Sequence, residues 1–198
     1  MKKRVVVTGI GVISPIGNDI NTYFHSLKIG KNGIKNISLF DTDNFEVHIA
    51  GEVNVDLEQH FDRKELNKLD RYSSFALLAA NQAIKQSQLI NNSKIDYNDI
   101  GVIVGSGIGG ISTFEEQHSR LLKSPRRVSP FFIPSMISDI AAGQISIKYG
   151  FKGPNYGIVS ACATGSHAIG DSFRTIQYGD AKIIIAGGLT DYSDLINL

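Results

Sequence analysis

Tyr156-Gly157-Ile158-Val159-Ser160-Ala161-Cys162-Ala163-Thr164-Gly165-Ser166 carries the only cysteine of the chain, at the point where an apolar run gives way to small residues. The run up to Ala161 predicts a strand, and the residues after it predict a helix starting at Cys162 and reaching about Tyr178. Cys162 would then sit at a helix N-terminus, where unpaired backbone N–H groups and the positive end of the helix dipole favour thiolate over thiol. The same N–H groups suit an oxyanion. Position alone leaves two readings open, a nucleophile and a small core residue.

Working outward, Ala181 to Ala186 reads as a further strand ending in a Gly187-Gly188 turn, and Ile100 to Val104 as a strand before the glycine-rich Gly105-Ser106-Gly107-Ile108-Gly109-Gly110. Helical spacing of apolar residues predicts helices over Lys64 to Ser87, Ile111 to Lys123 and Ser135 to Tyr149, the last ended by Gly150. Asn18 to Ile29 reads as a short helix capped by Asp19 or Asn21 and stopped by Gly30, after an opening strand. Residues 31–55 read as irregular with short strands. Strands alternating with helices indicate an α/β fold with a mixed, mostly parallel sheet. The helix after Cys162, with Ala163, Gly165, Ser166, Ala168, Gly170 and Ser172 on many sides, reads as central and closely surrounded.

Val159 to Gly165 resembles the nucleophile motif of the β-ketoacyl-[acyl carrier protein] synthases, and four other stretches agree in order. Val5 to Gly17 resembles the family's opening strand and turn, Gly105 to Gly110 its acyl-pocket loop, and Ser129 to Pro134 and Ala186 to Gly188 also fit. The likeness is closest to the type II enzymes that elongate fatty acids. It implies the N-terminal half of a thiolase-like fold, with helices between two sheets, over residues 1–188, and a divergent tail over residues 189–198. Two histidines, a lysine and a phenylalanine-bearing glycine loop belong to the family's second half, and no residue here matches them. A half of that kind is expected to leave apolar faces uncovered and to be poorly soluble or oligomeric alone.

By the resemblance, Cys162 takes the acyl group, Ile108 gates the acyl tunnel, and Phe132 lines it from the partner subunit of a homodimer. Lys64 and Lys68, read as one turn apart on one helix, and Arg126 and Arg127 in a proline-flanked loop are placed to hold the acidic acyl carrier protein. The alternative for the basic residues is solvated surface, and for Ile108 and Phe132 core packing. No organic cofactor is implied, because the phosphopantetheine arm belongs to the carrier protein. The partner expected besides the carrier is a second copy or a separately encoded second half.

Other chemistries fit less well. Gly105 to Gly110 satisfies G-x-G-x-x-G after a strand and before a helix, as in a dinucleotide site. The segment beyond is broken by Pro125, Pro130 and Pro134, with no acidic residue at its end to hold a ribose hydroxyl. Tyr178 and Lys182 have the Y-x-x-x-K spacing of short-chain dehydrogenases, but Gly179-Asp180 interrupts the helix they would share, and an NADPH-dependent reductase is the runner-up. A carrier-binding half without catalysis is a third reading. His167, about a turn and a half beyond Cys162, points away from it and reads as a packing or hydrogen-bonding residue. No metal-ligand spacing is present among the five histidines.

Composition supports these readings. The 198 residues suffice for a domain with a core, at 42% hydrophobic and 20% charged residues. A net charge of +1 argues against a general nucleic-acid binder, which needs surplus Lys and Arg. One cysteine forms no internal disulfide, which fits a reducing cytoplasm. Lys2-Lys3-Arg4 before an apolar run imitates a secretory signal, but Gly9, Gly11 and Pro15 interrupt it and no cleavage-like site follows. No stretch reaches the roughly 18 apolar residues of a membrane span.

Overall fold

Helix α1 (Ile20–Lys28) begins where the Asp19 carboxylate accepts the N–H groups of Asn21 and Thr22, at 2.9 and 3.0 Å. A two-stranded antiparallel ribbon, β1 (Lys35–Asn36) and β2 (Ile49–Ala50), follows, then α2 (Arg63–Leu66) and α3 (Arg71–Gln86). Strand β3 (Ile100–Ser106) leads into α4 (Ile111–Lys123), α5 (Phe132–Met136) and α6 (Ile140–Tyr149). Strand β4 (Asn155–Tyr156), α7 (Thr164–Tyr178) and β5 (Ile183–Leu189) complete the order. This computed structural model describes residues 3–90 and 92–189; residues 190–198, most of the expected tail, lie outside the described residues.

The main sheet has the order β4-β3-β5 and both pairings are parallel, with Ile100 opposite Ile183 and Val102 opposite Asn155. All seven residues of β3 are buried, as a parallel strand covered on both faces should be. Ile100, Val102 and Val104 alternate onto one face, where they join Tyr72, Ala76, Ala80 and Ile84 of α3 and Ala141, Ala142 and Ile145 of α6 in one apolar cluster. Helix α7 packs on β3 and β5. The sheet is a layer between α3 and α6 on one side and α7 on the other. No helix among the described residues is long and apolar enough to cross a membrane.

Several expected elements take a different form. Residues 3–13 run extended but join no ladder; the N–H groups of Ile10 and Val12 donate instead to the Gln86 and Gln82 side chains of α3. The turn after them forms as expected, with Ser14 and Gly17 exchanging backbone hydrogen bonds. The single helix expected over Lys64 to Ser87 is two, because Asp70 caps α3 through the Tyr72 N–H and stops the chain from continuing out of α2. Lys68 therefore lies in the break rather than on a shared helix face with Lys64. The helix expected over Ser135 to Tyr149 is likewise divided: Ile137 turns extended after α5, and its carbonyl accepts the Tyr72 hydroxyl. The strand expected up to Ala161 narrows to β4, and Gly187 and Gly188 lie inside β5 rather than in a turn.

Tyr72 has no exposed surface, and its burial, with the Asp70 and Asp139 carboxylates near, pushes the phenol up to about 12. A phenol raised in the folded state holds its proton where the unfolded chain has lost it. Its contribution to stability is thus whole below pH 10 and is lost as pH rises towards about 12. Denaturant melts across that window should show a drop that Tyr72→Phe abolishes, while at neutral pH the same substitution should cost about 1 kcal/mol for the lost hydrogen bond.

Candidate active site

Beyond β4 the chain crosses the end of β3 so closely that a Cβ on Gly105 would stand 1.9 Å from the Ile158 carbonyl oxygen. Only glycine permits that approach. The chain then reaches Ala161, whose φ of +49° lies in the left-handed region that costs a non-glycine residue about 1 kcal/mol. A single 3-10 turn, Ala161–Ala163, carries Cys162, and α7 begins at Thr164, two residues later than expected. Cys162 is exposed. It stands one residue before Ala163, the N-cap of α7.

Side chains from α7 reach back to hold this turn. The Thr164 hydroxyl accepts the Ser160 N–H at 3.0 Å and donates to the Ala161 carbonyl at 2.7 Å. His167 Nδ1 lies 2.7 Å from Ser160 Oγ, so His167 is a hydrogen-bonding residue of the turn that carries Cys162. Helix α7 is seated on β5 by a glycine pair, since a Cβ on Gly188 would come 2.5 Å from the Gly165 Cα. Thr164, Ala168 and Ser172 form its buried side. The expectation of a helix enclosed on every side is not met, because Ile169 is 58% exposed and Phe173 45%. Small residues show how closely neighbours could approach, not that neighbours are present.

Ile108, 42% exposed, sits at the crest of the glycine loop. The loop is tied from below: the Gly109 N–H donates to Ser106 Oγ, and the Gly110 N–H to the Met136 carbonyl. Asp70 occupies the start of α4, where Oδ2 accepts the Thr113 N–H at 3.1 Å and the Thr113 hydroxyl at 2.6 Å. In a dinucleotide site that helix terminus receives the pyrophosphate. Here a buried protein carboxylate fills it, so the reductase reading of the loop fails on geometry. Sequence reading missed Asp70, whose partner Thr113 is 43 residues away.

Phe132 opens α5, and its ring lies 6.2 Å from that of Phe114 on α4, which brings it to the same side of the molecule as the loop carrying Ile108. Lys64 and Lys68 line one cleft with the acidic Asp62 and Glu65 and with Leu69, Leu77, Gln144, Ile147 and Lys148, so the two remain neighbours although no single helix holds them. The Lys68 ammonium lies 5.4 Å from the centre of the Phe131 ring. Arg126 and Arg127 are exposed on a 3-10 turn between α4 and α5 and are not part of that cleft. Among the described residues no group of three His, Cys, Asp or Glu side chains could hold a metal ion.

A parallel sheet between helix layers, with an exposed cysteine in a strained turn at a helix start, is the arrangement expected of a thiolase-like fold. The family model for the β-ketoacyl synthase N-terminal domain matches residues 2–195, and the chain belongs to this family. It is 51% identical over 189 residues to 3-oxoacyl-[acyl-carrier-protein] synthase 2 of Staphylococcus aureus, covering 94% of this chain and 45% of that protein. The chain thus spans about half the length of the curated relatives it matches. A β-ketoacyl synthase from Burkholderia phymatum superposes with a TM-score of 0.80 at 26% identity, over 94% of this chain and 46% of that one. A type II PKS acyl-carrier protein in complex with its ketosynthase, bound to the hexaketide, matches with a TM-score of 0.78 at 26% identity, over 99% of this chain and 54% of that one.

Gly188→Ala tests how the turn is seated. Its methyl group has no space against Gly165 and should lift the start of α7, lowering stability by about 1 to 3 kcal/mol in denaturant melts. The rate of Cys162 alkylation by iodoacetamide should change with it.

Proposed function

We propose that this chain supplies the nucleophile-bearing part of a β-ketoacyl-[acyl carrier protein] synthase that elongates fatty acids. The observation that carries this reading is the exposed Cys162 in its strained turn at the start of α7, within a chain of the ketosynthase family. In the first half-reaction the Cys162 sulfur attacks the acyl thioester carbonyl, a new C–S bond forms, and the phosphopantetheine thiolate leaves with the carrier protein. Backbone N–H groups at the start of α7 stabilise the oxyanion formed on the way. In the second, malonyl carrier protein loses carbon dioxide and the resulting carbanion attacks the Cys162 thioester, releasing the thiolate and a β-ketoacyl product. The resemblance assigns that decarboxylation to histidines and a lysine in a part of the family's length that this chain does not span.

Ile108 would gate the acyl tunnel, and Phe132 would line it from a partner subunit. Lys64, Lys68, Arg126 and Arg127 would steer the acidic carrier protein; a carrier partner is supported by the related ketosynthase solved in complex with its acyl-carrier protein. The scheme requires no organic cofactor resident in this chain. A homodimer, or a separately encoded second half, would cover the exposed side of α7, and a cytoplasmic location fits the free thiol.

Intact mass of the chain after incubation with acyl carrier protein loaded with a saturated acyl group tests the reading. An acyl-sized increase that Cys162→Ala abolishes is the expected result. No adduct on folded protein that still binds the carrier would replace it with a non-catalytic carrier-binding role. Reversal of Lys64 and Lys68 to Glu should slow acylation, and wild-type acylation should slow with rising ionic strength because exposed charges are screened.

A further inference from the structure

Resting on the reading just given, we infer that Asp70 is a positioning residue for the acyl pocket, holding the loop that carries Ile108 and the start of α4 against α3. Asp70 is 4% exposed and its carboxylate serves two helices at once. Oδ1 accepts the Tyr72 N–H at 3.0 Å and so caps α3, while Oδ2 accepts the N–H and hydroxyl of Thr113 in the first turn of α4. A Cβ on Gly110 would lie 2.6 Å from the same Oδ2, so the end of the Ile108 loop rests directly on this carboxylate.

The residues flanking Asp70 hold α5, whose Phe132 would serve the partner subunit's tunnel. The Lys68 carbonyl accepts the Ser135 hydroxyl of α5 at 2.9 Å, and the Tyr72 hydroxyl donates to the Ile137 carbonyl just beyond α5. The Gly110 N–H in turn reaches the Met136 carbonyl at the end of α5. Lys68 in the break before α3, Asp70 at its cap and Tyr72 in its first turn thereby set the Ile108 loop and the Phe132 helix against one reference. Two donors on Thr113 and one on Tyr72 are more than a helix cap requires. Without the Oδ2 contacts the start of α4 would be free to shift, and Ile108 would no longer stand at a fixed height.

The test is a profile of acyl chain length rather than a bulk rate. Asp70→Asn keeps a side-chain oxygen for the cap on α3 but replaces the acceptor that faces Thr113. Thr113→Val keeps the shape and removes the hydroxyl. Acylation of Cys162 is followed by intact mass with carrier protein bearing butyryl, octanoyl or palmitoyl groups, for wild type, both variants and an Ile84→Val control near the far end of α3, with folding of each checked by circular dichroism. The expected result is a palmitoyl-to-butyryl rate ratio raised roughly tenfold in either variant and unchanged in the control.

An unchanged ratio in a folded Asp70→Asn protein, or in Thr113→Val if the first does not fold, overturns the inference. A ratio that moves equally in Ile84→Val also overturns it, since general loosening would then explain the effect. If the wild type takes no acyl group from any of the three, the functional reading itself fails and the positioning role falls with it.

Discussion

Backbone approaching backbone is the constraint on which the site depends. Gly105 at the end of β3 lets the chain beyond β4 pass over the strand, and Gly188 in β5 lets the first turn of α7 settle onto the sheet. A side chain at either place would hold Cys162 away from the layer that supports it. Ala161 then accepts a left-handed backbone because both ends of its turn are already placed, by the crossing on one side and the seated helix on the other. Thr164 and His167 close the remaining hydrogen bonds of the turn.

The legible part of the fold was the part written in local chemistry. Asp19 announces α1 because a carboxylate before a helix satisfies N–H groups that nothing else reaches, and the β-branched run at Ile100 announces β3. The division between α2 and α3 is hidden, because Leu66, Leu69 and Tyr72 keep helical spacing across it. What breaks the helix is Asp70, and its reason for doing so is held on α4, far along the chain. The extended residues 3–13 have strand composition, yet composition does not name a partner, and Gln82 and Gln86 side chains meet their N–H groups instead.

The site was legible in a similar way. Cys162 stood out as a lone thiol before a run of small residues, while Ile108, Phe132 and the basic residues came only through resemblance. Lys64 and Lys68 end in one cleft for a reason different from the helix spacing that suggested it: the chain turns at Leu66 and brings Lys68 back beside α6. Asp70 acts through Thr113, 43 residues away, and no local pattern marks it. Thr164 and His167 instead hold residues a turn or two before them, and His167 reads from the sequence as a packing or hydrogen-bonding residue. The geometry shows which neighbours hold the turn that carries Cys162.

An exposed thiol with no second cysteine also determines how this chain meets peroxide. Oxidation of Cys162 to the sulfenic acid leaves no resolving thiol within the same molecule, so the reversible way back must come from outside, through glutathione, another protein or a second copy. Without such a donor the sulfur is open to further oxidation to the sulfinic acid, and the chain loses its one thiol. The redox state of its surroundings therefore bears on this protein through a single atom.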